Sequence, residues 1–256
     1  FPYTTLFRSY NNNLLYHGCV PLNEDGTLKS VEIYGKKYRG RALYDALDNY
    51  VRKGFVAVDR AEREKGRDLM WYIWLSENSP LFGKDKMATF ERYFLAEKET
   101  HREVKNPYYR FLENEEVIDR ILREFGLEPE GAHIINGHVP VKTKDGESPI
   151  KCGGKLLVID GGFSRAYQEE TGIAGYTLIY NSYGLILAAH KPFESTESAI
   201  ENESDIHSES TMVKWVAKRK RVGDTDAGRE LREKIRDLEG LLEAYYSGAI
   251  AEKFTG

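Results

Sequence analysis

The sequence predicts an α/β fold, and two observations carry that prediction. Short apolar runs that read as strands end in polar turns with glycine: Leu14-Leu15-Tyr16 before His17-Gly18, Ile134-Ile135 before Asn136-Gly137-His138, and Lys155 to Ile159 before Asp160-Gly161-Gly162. Around them lie segments whose apolar residues recur every three or four positions, the period of a helix with one buried face. Strand ends of this kind hold side chains at the mouth of a sheet, so the layout points to a site at one edge of a sandwich or α/β core.

Each element follows from its own residues. Val20-Pro21-Leu22 leaves the first histidine turn in extended form, because the residue before proline is pushed out of the helical region. Leu43, Ala46, Leu47, Tyr50 and Val51 predict an amphipathic helix from Gly40 to Phe55, with Val56 to Lys65 as a second helix. Leu69 to Leu75 (LMWYIWL) is either a buried strand or one buried helical face. A loop follows from Ser76 to Lys86, then a short helix or strand from Met87 to Leu95. Glu99 to Tyr109, polar and broken by Pro107, reads as a surface loop. Val117, Ile118, Ile121, Leu122 and Phe125 make one helical face that Gly126 stops. Tyr176 to Tyr180 and Leu185 to Ala189 flank Asn181-Ser182-Tyr183-Gly184, a hairpin signal. Ser195 to Ser210 reads as an acidic, solvated linker or helix. Asp224 to Tyr246 reads as a long helix that packs Leu231, Ile235, Leu238, Leu241 and Leu242 on the core.

The bulk numbers exclude several classes. A chain of 256 residues with 41% hydrophobic and 30% charged residues is an ordinary globular protein, large enough for a substantial core. The net charge of -4 is spread along the chain, and the basic run Lys214 to Arg221 reads as a solvated strand or an ionic contact with the acidic 194–209 segment. No nucleic-acid partner is therefore expected. No apolar run approaches the roughly 20 residues of a membrane span, so no membrane is expected either. The two cysteines, Cys19 and Cys152, suit a reducing cytoplasm. Phe1 to Ser9 matches one translated frame of a common short-read sequencing adapter, so this stretch is read as foreign, with Tyr10 the first native residue and part of the gene lying upstream.

The chemistry centres on two of the six histidines. His17 and His138 each follow a short strand and sit beside a glycine that lets the backbone turn sharply and aim the imidazole outward. One such histidine is ordinarily a hydrogen-bonded core or turn residue. Two together point to shared ligation of a metal, and imidazole suits Mn, Fe and Zn. Asp160 is a candidate to orient a metal-bound histidine, as is Asn136 in the turn of His138, although an aspartate in a DGG turn also serves the turn itself.

The motifs LLYHGCVPLNEDGTL, ENSPLFGKDKMATFERYF, HIINGHVPVK, GGKLLVIDGGFS and TGIAGYTLIYNSYGLILAAHKPF together resemble the class III fructose-1,6-bisphosphatases of Firmicutes-type bacteria, across nearly all of Tyr10 to about Phe254. The resemblance implies the second half of a calcineurin-like metallophosphoesterase β-sandwich flanked by helices (10–193), followed by a C-terminal helical extension (194–256). It implies hydrolysis of a small sugar bisphosphate by a two-metal site, with manganese as the cofactor and His17 and His138 on one metal. Pro140 stands where many relatives carry a second histidine of a GHxH motif, and the upstream D-x-H, GDxxDRG and GNH motifs do not occur. The metal site and the catalytic residues are thus expected to be incomplete in this chain, which alone should be inactive. Lys84, Lys86, Arg92, Lys142 and Arg165 lie in or beside the resembling motifs and are candidates to neutralise phosphate, a role to set against the usual one of a solvated surface charge. A phosphoprotein phosphatase and a non-catalytic regulatory domain of the same fold are the rival readings, and a homo-oligomer is possible.

Overall fold

The computed structural model describes residues 5–161, 164–193, 195–203 and 207–250. Its elements in chain order are β1 (Phe7–Tyr10), β2 (Asn13–Tyr16), β3 (Val31–Ile33), β4 (Lys36–Tyr38), α1 (Gly40–Val56), α2 (Arg60–Leu75), α3 (Thr89–Phe94) and α4 (Glu115–Glu124). They continue with β5 (His133–Asn136), β6 (Ile150–Lys151), β7 (Leu156–Val158), α5 (Arg165–Thr171), β8 (Gly175–Asn181), β9 (Gly184–His190), α6 (Thr196–Glu201), β10 (Ser208–Trp215) and α7 (Asp226–Tyr246). The mixed α/β content agrees with the sequence.

Two sheets face each other. The larger has the order β1-β2-β5-β7-β6, with β2, β5 and β7 mutually parallel and both outer strands antiparallel; the smaller has the order β10-β9-β8. Side chains alternate along β5, so Ile134 and Ile135 point to opposite faces. Ile134 joins Leu14 and Leu156 against the buried face of α4, made of Val117, Ile118, Ile121 and Leu122. Ile135 and Leu157 meet Leu185 of β9, with Leu178 and Val213 alongside, on the other face. The larger sheet is therefore covered by a helix on one side and by the smaller sheet on the other. The Asn114 side chain caps α4 by accepting from the Val117 amide at 3.1 Å. The β8–β9 hairpin turns through Ser182-Tyr183, and any Cβ at Gly184, whose φ is 142°, would sit 1.8 Å from the Lys214 carbonyl oxygen.

The apolar run Leu69 to Leu75 is helical. Asp59 caps α2 by accepting from the Glu62 amide at 2.9 Å, and the run is the last two turns of that helix, with Leu69 and Ile73 buried while Met70, Trp71, Trp74 and Leu75 stay exposed. The second helix thus begins at Arg60 and not at Val56. Gly54 of α1 and Gly66 of α2 lie at the crossing of the two helices, where a Cβ on Gly54 would come within 2.5 Å of the Gly66 Cα.

Two further expectations are corrected, and a third is met only in part. The stretch Glu99 to Tyr109 is not wholly at the surface, because a 3-10 turn at Pro107–Arg110 drives Tyr108 into the core. The acidic stretch Ser195 to Ser210 holds α6 and the start of β10, and the basic run after it folds back on the hairpin, where Val216 and Lys220 donate to the carbonyls of Tyr183 and Ser182. No ion pair between Lys214 to Arg221 and the acidic stretch occurs among the described residues. Finally, α7 does not lay its leucines on the core. It is tied down at its start by exchanged hydrogen bonds between Asn11 and Asp226, of 2.7 and 2.9 Å, and from Leu231 onward its apolar side chains are exposed.

The helix crossing yields a test. Alanine favours a helix over glycine by up to about 1 kcal/mol, but at Gly54 the added methyl meets backbone, and such overpacking costs about 1–3 kcal/mol. Denaturant unfolding should therefore show Gly54→Ala destabilised, whereas Gly240→Ala in α7, where nothing lies within 4 Å, should be stabilised.

Candidate metal and phosphate site

Because β2, β5 and β7 run parallel, their carboxyl ends open on the same edge of the sheet. The registers Leu14 opposite Ile134 and Leu15 opposite Ile135 carry the chain into His17 on one strand and His138 on the next. The Gly137 amide donates to the His17 carbonyl at 2.9 Å and ties the two turns together. The imidazoles meet: Nε2 of His17 lies 3.0 Å from Nδ1 of His138, with ring centroids 4.8 Å apart. Asp160, leaving β7, comes to the same edge, its Cβ 3.5 Å from where a Cβ on Gly137 would stand. Sequence reasoning paired the two histidines from far apart in the chain, and the fold brings them into contact.

Proton positions follow from the partners. His138 Nε2 lies 2.7 Å from the Phe82 carbonyl oxygen, which can only accept, so Nε2 carries the proton and Nδ1 is the acceptor toward His17. Burial holds the His138 imidazole below its usual pKa; the Phe82 contact works the other way, and the nearby His17 and Lys84 push it further down. The backbone at His138 has φ of 69°, in the left-handed region that residues other than glycine seldom adopt.

These groups fit a divalent metal as two of its ligands. Two imidazole nitrogens 3.0 Å apart have the spacing of neighbouring ligands at metal–nitrogen distances of about 2.0–2.1 Å. A metal-bound histidine typically donates its other nitrogen to a carbonyl, as His138 does here to Phe82. No group of three or more histidine, cysteine, aspartate or glutamate side chains able to hold a metal forms among the described residues.

Behind the histidines lies a polar chain that the sequence did not disclose. Asn136, buried at the end of β5, donates through Nδ2 to the Gly18 carbonyl and to the Tyr108 hydroxyl, both at 2.9 Å, and Tyr108 also bonds the Tyr16 hydroxyl at 2.8 Å. The asparagine therefore braces the turn of His17 from the strand of His138. The signal for Tyr108 is the Asn106-Pro107 pair: Asn106 Oδ1 accepts from the amides of Tyr108 and of Leu22, which forces the turn inward. Burial pushes the Tyr16 and Tyr108 hydroxyls well above their usual pKa, so they remain protonated donors.

The candidate cations are placed as follows. Lys84 and Arg92 share Glu103, at 2.9 and 3.4 Å, and this carboxyl is held below its usual pKa by the Ala88 amide and by those two cations, against the effect of its own burial. Lys86 donates to the Thr100 carbonyl at 2.9 Å, and Lys142 pairs with Glu170 at 2.9 Å. Lys84 lies near enough to His138 for its charge to push that imidazole's pKa down. The Arg165 side chain, like Gly162 and Phe163 of the DGGFS motif, lies outside the described residues.

The polar chain can be tested on stability. Removing the Tyr108 hydroxyl leaves two buried partners short of a hydrogen bond, at about 1–3 kcal/mol for a buried polar group. Tyr108→Phe should lower the unfolding free energy by that order in denaturant melts. An unchanged midpoint would contradict the assignment.

A family model described as Firmicute fructose-1,6-bisphosphatase matches residues 1–247. Proteins named "Fructose-1,6-bisphosphatase class 3" from Clostridioides difficile (strain 630) and Clostridium novyi (strain NT) are 58% and 56% identical over 97% of this chain, and a protein of the same name from Clostridium botulinum (strain 657 / Type Ba4) is 56% identical over the same share. The chain spans 38% of the first two and 37% of the third. No solved structure matches. By the match of the family model to nearly its whole length, the chain belongs to the Firmicute fructose-1,6-bisphosphatase family.

Proposed function

We propose that this chain is part of a metal-dependent phosphatase that hydrolyses fructose 1,6-bisphosphate to fructose 6-phosphate and phosphate. The observation that carries the reading is the meeting of His17 and His138 at the carboxyl ends of two parallel strands, in a chain of the fructose-1,6-bisphosphatase family. The two facing sheets are consistent with half of a calcineurin-like β-sandwich.

A phosphate monoester dianion repels nucleophiles and hydrolyses extremely slowly in water. A pair of divalent metals, manganese in this reading, would when bound supply a hydroxide at neutral pH and charge to offset that of the phosphoryl group. The chain's own groups do the rest. His17 Nε2 and His138 Nδ1 would hold one metal, while the Phe82 carbonyl fixes the His138 ring and Asn136 keeps the two turns in register. Lys84 is positioned to offset phosphate charge near the histidines. Lys86, Arg92, Lys142 and Arg165 are the further candidates, with Asp160 as an orienting carboxylate at the strand end. The substrate is then a small anion and needs neither nucleic acid nor membrane, and no helix among the described residues is long and apolar enough to cross one. Both cysteines are unpaired, which supports a cytoplasmic setting.

In a protein carrying this chain at the full length of its relatives, manganese-dependent release of phosphate from fructose 1,6-bisphosphate is expected. His17→Ala and His138→Ala should each lower both activity and bound manganese by about 10-fold or more while leaving the thermal unfolding cooperative. Lys84→Met should act mainly on KM. Release of phosphate from a phosphopeptide in preference to the bisphosphate would contradict the substrate.

A further inference from the structure

The loop before α3 serves the histidine pair twice. Its Pro80 carbonyl accepts from the Cys19 amide at 2.9 Å, beside the turn of His17, and its Phe82 carbonyl accepts from His138 Nε2 at 2.7 Å. Lys84 follows two residues later, near enough for its charge to act on the His138 imidazole. The segment that fixes the two turns therefore also delivers the lysine.

A lysine ammonium on its flexible stem needs something to hold it. Residues 83–85 run antiparallel to 104–106: the Asp85 amide donates to the Val104 carbonyl and the Asn106 amide to the Gly83 carbonyl, each at 2.9 Å. Asp85 Oδ1 closes the ladder by accepting from the Val104 amide at 2.7 Å. Glu103 is thereby set against Lys84. Its Oε2 takes the Lys84 ammonium at 2.9 Å, while Oε1 accepts from the Ala88 amide at 3.0 Å and lies 3.4 Å from the Arg92 guanidinium. The Lys84 and Glu103 side chains are only 28% and 15% exposed. One carboxylate between two cations leaves a unit of positive charge over, so the trio can still take an anion. An ion pair this near the surface adds little to stability. What it supplies is orientation, because an ammonium already held loses less freedom when a ligand arrives.

We propose, on the bisphosphatase reading, that Glu103 is a positioning residue for the reaction: it holds the Lys84 ammonium beside the His17–His138 pair, poised for a phosphate group of the substrate.

Glu103→Gln separates this role from a structural one. Its single carbonyl oxygen can still accept from the Ala88 amide, but its NH2 group meets the ammonium donor to donor. In a protein carrying this chain at the full length of its relatives, Glu103→Gln should raise KM for fructose 1,6-bisphosphate severalfold, with kcat and the thermal unfolding midpoint nearly unchanged. Lys84→Met should do the same. The double variant should be no worse than Lys84→Met alone, because Glu103 acts through Lys84. A wild-type KM in Glu103→Gln, an effect that multiplies with that of Lys84→Met, or a fall in kcat together with the unfolding midpoint would each overturn the proposal and leave the bisphosphatase reading standing. An unchanged KM in Lys84→Met would overturn it together with the role of Lys84, and a full-length protein that does not hydrolyse the bisphosphate would overturn it together with the reading.

Discussion

The parallel pairing of β2 with β5 decides where the chemistry can be. Asn13, Leu14 and Leu15 stand opposite His133, Ile134 and Ile135, and the next residues off each strand end form the turns of His17 and His138. A slip of one residue would shift one turn by about 3.3 Å along the sheet and turn every side chain of the strand to the other face. Leu14 would leave the helix-covered core, Ile135 would leave the contact with Leu185, and the two imidazoles would no longer lie within reach of one ion. Packing on both faces of the sheet thus fixes a distance that the chemistry requires.

The polar chain behind the site acts on the same constraint from inside. Asn136 belongs to β5 but bonds the carbonyl of Gly18, next to His17, so strand and turn move as one. Its second partner, Tyr108, arrives from a loop held by Asn106 and is itself bonded to Tyr16 at the end of β2. Buried hydrogen bonds of this kind resist distortion because breaking any one leaves a polar group unsatisfied in a dry interior. The left-handed backbone of His138 is a strained conformation that such surroundings can sustain.

Much of this was legible in the sequence, and the parts that were not share a cause. α1, α4 and the β8–β9 hairpin were readable because periodicity, a stop glycine and turn residues agree locally. His17 and His138 were readable as a pair because each follows a short apolar run and adjoins glycine. Tyr108 was not, since its burial depends on Asn106 accepting from Leu22, a residue far away in the chain. The exposure of α7 was not legible either: a row of leucines marks an apolar face but says nothing of what covers it. The LMWYIWL run was ambiguous for the reason that short apolar runs always are, and the cap at Asp59 settles it.

The account rests on His17 Nε2 and His138 Nδ1 serving one ion while His138 Nε2 stays protonated toward Phe82. Imidazole nitrogen NMR of the chain at neutral to mildly alkaline pH, with Zn2+ added as a diamagnetic probe, reads those nitrogens directly. The account predicts that His17 Nε2 and His138 Nδ1 shift together to metal-bound values and that His138 Nε2 keeps its proton. Coordination of His138 through Nε2, or a response from one histidine without the other, would contradict it.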